Sequence, residues 1–126
     1  ITAVGTLTSL TVSGNITNQT HIIKDVTTAT AAGSDQSGAT ALSGADIFTV
    51  TTNITNNGVR LMSATPGLCI YIKNTSGSNT LKVYPASSDA IDGNGTNGAI
   101  SIGPLGHIQF VAHSSSQWYS VGATYA

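Results

Sequence analysis

The chain reads as an all-β protein, with a short N-terminal fibrous β stalk followed by an antiparallel β-sandwich or jelly-roll-like head, assembled as a trimer. Three observations lead there. Ile, Val and Thr supply 39 of the 126 residues, and their branched side chains fit a pleated strand better than a helix. Strong helix formers are scarce, with no Glu, one Met and seven Leu. From Asp46 onward, short runs of alternating apolar and polar residues recur between turn residues at the spacing of a sandwich or barrel.

Residues 1–20 carry single apolar residues, Val4, Leu7, Leu10, Val12 and Ile16, spaced through Thr, Ser, Gly and Asn. Poor helix formers hold that spacing, and the row is too thin to give one chain a core. Three copies wound together would bury it. These five residues are therefore the expected trimer interface, and the segment reads as the end of a fibre shaft. Residues 21–45 are expected to form a linker and a first strand. Within them, 27–45 are almost all Ala, Thr, Ser and Gly, with too little apolar surface to offset ordering entropy, which predicts a linker or surface loop with at most one helical turn. Residues 46–126 form the head, with strands expected at 46–52, 58–62, 68–73, 80–84, 99–102, 107–112 and 117–121.

Turn chemistry orders these runs. Thr75-Ser76-Gly77-Ser78, with Gly77 free to take a positive φ, predicts a hairpin between 68–73 and 80–84, and Ser114-Ser115-Ser116 predicts another before Trp118. Alternation places Leu68, Ile70, Ile72, Leu81, Val83, Ile100, Ile102, Ile108 and Phe110 inward. Cys69, Tyr71, Lys73, Lys82, Tyr84, His107 and Gln109 take the opposite face. Trp118 and Tyr119 fall on opposite faces, and burial of the larger ring stabilises a thin core more, so Trp118 is expected inside and Tyr119 outside.

Charged residues make up 7% of the chain against about 25% in ordinary soluble proteins, and solubility falls to hydroxyl and amide groups. A net charge of −1 supplies no basic field to gather phosphates, so nucleic acid is not an expected partner. No run approaches the length of a membrane span, and the start Ile1-Thr2-Ala3-Val4 has neither the charged nor the apolar region of a signal peptide. Beginning at Ile1, the segment looks cut from a longer chain. Cys69 has no cysteine partner in the chain and sits in an apolar run, where a packed thiol is expected.

Catalytic and cofactor patterns fail on context. Gly93-Asn94-Gly95-Thr96-Asn97-Gly98 matches a dinucleotide-loop pattern by letter, but a strand-like run broken by Pro104 follows where a helix is required. Asp89 and Asp92 lack the spacing of a calcium loop and read as Asx-turn residues. His21, His107 and His113 are far apart, although three chains about an axis could bring one His each to an ion. There is no nucleophile elbow and no helpful carboxylate pair, so the chain is read as non-enzymatic, without cofactor or metal. Asn15, Asn18, Asn53, Asn74 and Asn94 head glycosylation sequons, which a chain rich in Asn and Thr produces by chance. Trp118, Tyr119, Tyr71, Tyr84 and Tyr125 are candidates for a sugar-stacking surface or for core and interface packing.

The run Lys73-Asn74-Thr75-Ser76-Gly77-Ser78-Asn79-Thr80-Leu81-Lys82-Val83-Tyr84-Pro85-Ala86, then Ile91-Asp92-Gly93, then Ser116-Gln117-Trp118-Tyr119-Ser120-Val121 together resemble C-terminal domains of virion structural proteins from tailed phages, cyanophages in particular, and some large DNA viruses. Gly5 to Gly14 looks like the shaft repeats that precede such domains. The resemblance implies a homotrimeric tail-fibre or head-fibre end, or a capsid-decorating knob, on the virion exterior. Its implied partners are other copies of itself, other virion proteins and a host surface glycan or receptor, without membrane insertion. A receptor-binding tip is the alternative function, for which Tyr119 and His113, across the Ser114 to Ser116 turn, are the candidate ligand contacts.

Overall fold

The computed structural model describes residues 5, 6, 8, 9, 11, 13 and 23–122. The expected interface residues Val4, Leu7, Leu10, Val12 and Ile16 lie outside these, as do His21 and Tyr125. The described residues form strands and no helix: β1 (Val26–Thr30), β2 (Thr40–Ala41), β3 (Ile47–Thr51), β4 (Gly58–Arg60), β5 (Cys69–Asn74), β6 (Leu81–Tyr84), β7 (Ala90–Ile91), β8 (Ile100–Ile102), β9 (His107–Ala112) and β10 (Gln117–Val121). The protein is all-β, as its composition predicts.

The pairing differs from the antiparallel sandwich or jelly roll expected. Odd and even strands from β1 to β6 alternate between two sheets, and each pass lies parallel to the one before it. Val26 pairs with Ile47 and Ile47 with Tyr71 in one sheet; Thr40 pairs with Val59 and Val59 with Val83 in the other. The chain thus winds in coils, each adding one strand to each sheet. The final sheets have the orders β1-β3-β5-β9-β10-β7 and β2-β4-β6-β8. Parallel neighbours need a crossover connection, and here the opposite sheet supplies it.

The winding reverses at one end. β8 runs antiparallel to β6 and β9 antiparallel to β5, with Gly103-Pro104-Leu105-Gly106 between them. Leu105 takes a left-handed φ of 56°, and its amide donates to the Ser76 carbonyl at 2.9 Å, which anchors the corner. β10 then pairs antiparallel with β9 across the serine turn, as the sequence predicts, and parallel with β7. The hairpin expected between 68–73 and 80–84 does not form, because β5 and β6 belong to different sheets. Gly77 is not among the residues of positive φ; Thr75 to Asn79 is a corner between sheets, held by Ser76 Oγ accepting from the Asn79 amide at 2.9 Å.

The inward rows make one core between the sheets. Phe48, Val50, Ile70, Ile72 and Phe110 from one sheet meet Val59, Leu81, Val83 and Ile102 from the other, with Leu61, Ile91 and Trp118 closing the sides. Leu68, Ile100 and Ile108 are partly buried against it. Tyr84, expected on the outer face, is buried: its ring lies where a Cβ on Gly58 would come within 2.6 Å, and its hydroxyl donates to the Ser34 carbonyl at 2.8 Å. The segment 27–45, expected as linker or loop, contains most of β1 and all of β2. Small side chains are what this coil needs, since Ala31 and Ala39 are buried and a Cβ on Gly33 would come within 2.4 Å of the Gly38 backbone. One helix-like turn does occur there, from the Ala39 amide to the Asp35 carbonyl at 3.1 Å.

Candidate functional site

The outer face of the six-stranded sheet presents the exposed chemistry. Strand register aligns its outward residues in rows across the strands. One row runs Val26, Ile47, Tyr71, Gln109, Val121, and the next Cys69, Val111, Tyr119. Val26, Tyr71, Tyr119 and Val121 are all exposed, so the two rows make an apolar band along the direction of coil stacking. The row on its other side carries Thr28, Thr49, Lys73 and His107. Cys69 is half-buried on this outer face rather than packed in the core.

The hairpin of β9 and β10 brings the two candidate ligand contacts together. His113 and Tyr119 stack with ring centroids 4.2 Å apart and planes 11° from parallel. The turn is closed by the His113 amide donating to the Gln117 carbonyl at 3.1 Å and the Ser116 amide to Ser114 Oγ at 3.3 Å. His113 stacks on one face of the Tyr119 ring, and Tyr119 remains 49% exposed. Trp118 points the other way and is fully buried, as alternation predicts. Its Nε1 finds no acceptor among the described residues.

Beside the band, the loop from Ser88 to Gly98 is held by acidic and amide side chains acting at long range, not by the local Asx turns expected. The buried Asp89 accepts from the Ala64 amide at 2.8 Å. Asp92, at a φ of 52°, accepts from the Ser120 amide at 2.9 Å and hydroxyl at 2.7 Å, tying the loop to β10. Asn97 Oδ1 accepts from the Ser88 amide at 2.9 Å. The glycines of this loop lead into β8, not into a helix, so no set of helix amides is available to a pyrophosphate. No group of three or more His, Cys, Asp or Glu side chains converges among the described residues, and His107 and His113 flank opposite ends of β9.

Sequence reasoning missed the most connected polar side chain. Asn74 is fully buried, and its Nδ2 faces the carbonyls of Asn79, Ile102 and Gly103 at 2.8, 3.2 and 3.0 Å. Its Oδ1 accepts from Thr52 Oγ1 and the Ser76 amide, both at 3.1 Å. It ties β5, the corner after it and the β8–β9 reversal together, and its burial makes it unavailable as a glycosylation acceptor in the fold. The signal was present: Asn74 continues the inward series Ile70, Ile72. Near the opposite end, Asp35 is held below the usual carboxylate value, first by the Gly38 amide and then by the Ser37 hydroxyl. Burial, and then the nearby Asp35 charge, raise the Tyr84 phenol.

Comparison with family models, with curated proteins and with solved structures gives no match. Among the described residues no enclosed pocket is found, and the apolar band with the stacked pair at its edge gathers four of the exposed large apolar or aromatic side chains, Val26, Tyr71, Tyr119 and Val121, on one face.

Proposed function

We propose that this chain is a virion structural domain: the terminal, β-solenoid end of a homotrimeric fibre, or a capsid-decorating knob, carried on the outside of a virus particle and without enzymatic activity. The observation that carries this reading is the difference between the two ends of the winding. At the end formed by β8 and β9 the chain doubles back antiparallel, which stops further parallel coils. At the other end β1 and β2, edge strands among the described residues as β7 and β8 are, each continue the parallel series. β1, Val26-Thr27-Thr28-Ala29-Thr30, carries none of the Lys, Pro or bulge devices that blunt free edges in monomers. A module whose winding reverses at one end and stays parallel toward its N-terminal segment suits the last unit of an extended β assembly.

The apolar band supports self-association, since it runs along the stacking direction and contains no charged side chain, so copies in the same orientation can appose it without burying charge. The sequence resemblance to phage and large DNA virus structural proteins supports the viral setting, with other virion proteins as further partners. Light scattering on the intact chain tests the assembly: the mass of three copies is expected, and replacing Leu7 and Leu10 by Asp should lower it by placing charge in a dry seam. A monomer at micromolar concentration would overturn the trimer.

A second reading, a receptor-binding tip, is favoured by the stacked His113 and Tyr119. An aromatic face and a phenol suit a host glycan or a protein loop. Saturable binding of the assembled protein to host cells or a glycan array, abolished by Tyr119→Ala without loss of Tm, would select this reading over the structural one.

A further inference from the structure

The chain contains three Asn-Gly pairs, Asn57-Gly58, Asn94-Gly95 and Asn97-Gly98, and the fold treats them differently. In each, the glycine amide nitrogen can attack the preceding side-chain amide, because glycine has no Cβ to obstruct it. The attack requires a mobile side chain and a backbone N–H not held elsewhere.

At Asn57 both requirements fail. Gly58 is buried within β4, its amide donates to the carbonyls of Ala32 and Gly33 at 3.1 and 3.0 Å, and Asn57 Nδ2 donates to the Ala31 carbonyl at 3.4 Å. At Asn97 they fail again: Oδ1 accepts from the Ser88 amide, the Asn97 amide donates to the Asp89 carbonyl at 2.8 Å, and the Gly98 amide donates to the Gly95 carbonyl at 3.1 Å. Asn94 is the exception. Asn94 and Gly95 are both exposed, Gly95 sits at a φ of 77°, and neither the Asn94 side chain nor the Gly95 amide has a hydrogen-bond partner among the described residues.

We propose that Asn94 is a site of spontaneous deamidation, and that the fold confines this chemistry to it. The Gly95 nitrogen loses its proton and bonds to Asn94 Cγ, the Cγ–Nδ2 bond breaks, and the amide leaves as ammonia carrying a proton. The resulting cyclic imide takes up water at either carbonyl and opens to aspartate or isoaspartate. The product adds one negative charge, which doubles the formal net charge of −1, on a loop that Asp92 ties to β10. This modification is independent of the viral reading.

The test is peptide mapping by mass spectrometry of the intact chain held in warm, mildly alkaline buffer, with isoaspartate read by enzymatic methyl labelling. A parallel sample is held unfolded in denaturant. In the folded chain, acid and iso-acid products should accumulate at Asn94 at least about tenfold faster than at Asn57 or Asn97, because those pairs must first break hydrogen bonds by local opening. In the unfolded chain the three rates should converge. Asn94→Gln should abolish the early acidic species seen on anion exchange. Equal folded-state rates at the three pairs, or no product at Asn94 while the unfolded chain reacts, would overturn the proposal.

Discussion

Asn74 is where a single substitution should damage this fold most through polar groups alone. Truncation to Ala removes a side chain that faces three carbonyls and accepts from one hydroxyl and one amide, all within 3.2 Å. The residue is fully buried, so water cannot replace those partners without opening the corner. Leaving a buried polar group unpaired costs about 1–3 kcal/mol each; if some partners relax toward solvent, the sum is roughly 3–5 kcal/mol. That is a large part of the roughly 5–15 kcal/mol that holds a domain together. Urea unfolding followed by tryptophan fluorescence should show the midpoint falling with an unchanged slope. Asn74→Asp adds a pH signature. A carboxyl facing three carbonyls is pushed above its unfolded pKa of about 3.9, so its penalty is small below that value and grows as pH rises through the folded pKa. The Asp variant should therefore be closer to wild type in mild acid than at neutrality. A loss below about 1 kcal/mol for Asn74→Ala would refute the reasoning that this amide holds the coil reversal.

Other positions give distinct outcomes. Trp118→Ala should cost about 3–5 kcal/mol by urea unfolding followed by far-UV circular dichroism, since Trp118 is the single tryptophan, whereas Trp118→Phe should cost clearly less, because it keeps most of the ring and removes an indole N–H without an acceptor among the described residues. Gly58→Ala should destabilise by about 1–3 kcal/mol, since the new Cβ meets the Tyr84 ring at 2.6 Å and the Lys82 carbonyl at 3.2 Å; pairing it with Tyr84→Leu should recover part of the loss. Asp35 has a lowered folded pKa, so its stabilising contribution is present above its unfolded value of 3.8 and is lost as pH falls below it. The Tm gap between wild type and Asp35→Ala should close in acid.

The legible part of this fold was the part written in local alternation. The runs that became β3, β5, β6, β8, β9 and β10 show apolar residues at every second position, and Ile70, Ile72, Leu81, Val83 and Phe110 are buried as that pattern requires. Alternation names a face but not a neighbour. The Thr75 to Ser78 segment has the residues of a hairpin turn, yet β5 and β6 part at this corner because each finds a parallel partner in an earlier coil, a long-range choice that turn composition does not encode. A first strand was expected within residues 21–45, but the positions of β1 and β2 were hidden for a different reason. Their Thr and Ala residues have little apolar surface, and they are ordered by pairing with β3 and β4 and by close packing that larger side chains would prevent. At the candidate site, the opposite faces of Trp118 and Tyr119 were legible, whereas the stacking of His113 on Tyr119 depends on the geometry of the turn between them.

The central claim is that this domain ends an exterior structure of a virus particle, and imaging answers it most directly. A small electron-dense label fused at the C-terminal end, on particles that carry the parent chain, should appear at the outer tip of fibres or on the capsid surface, in groups of three. Label found inside the particle, absent from purified particles, or present as single copies would contradict the account.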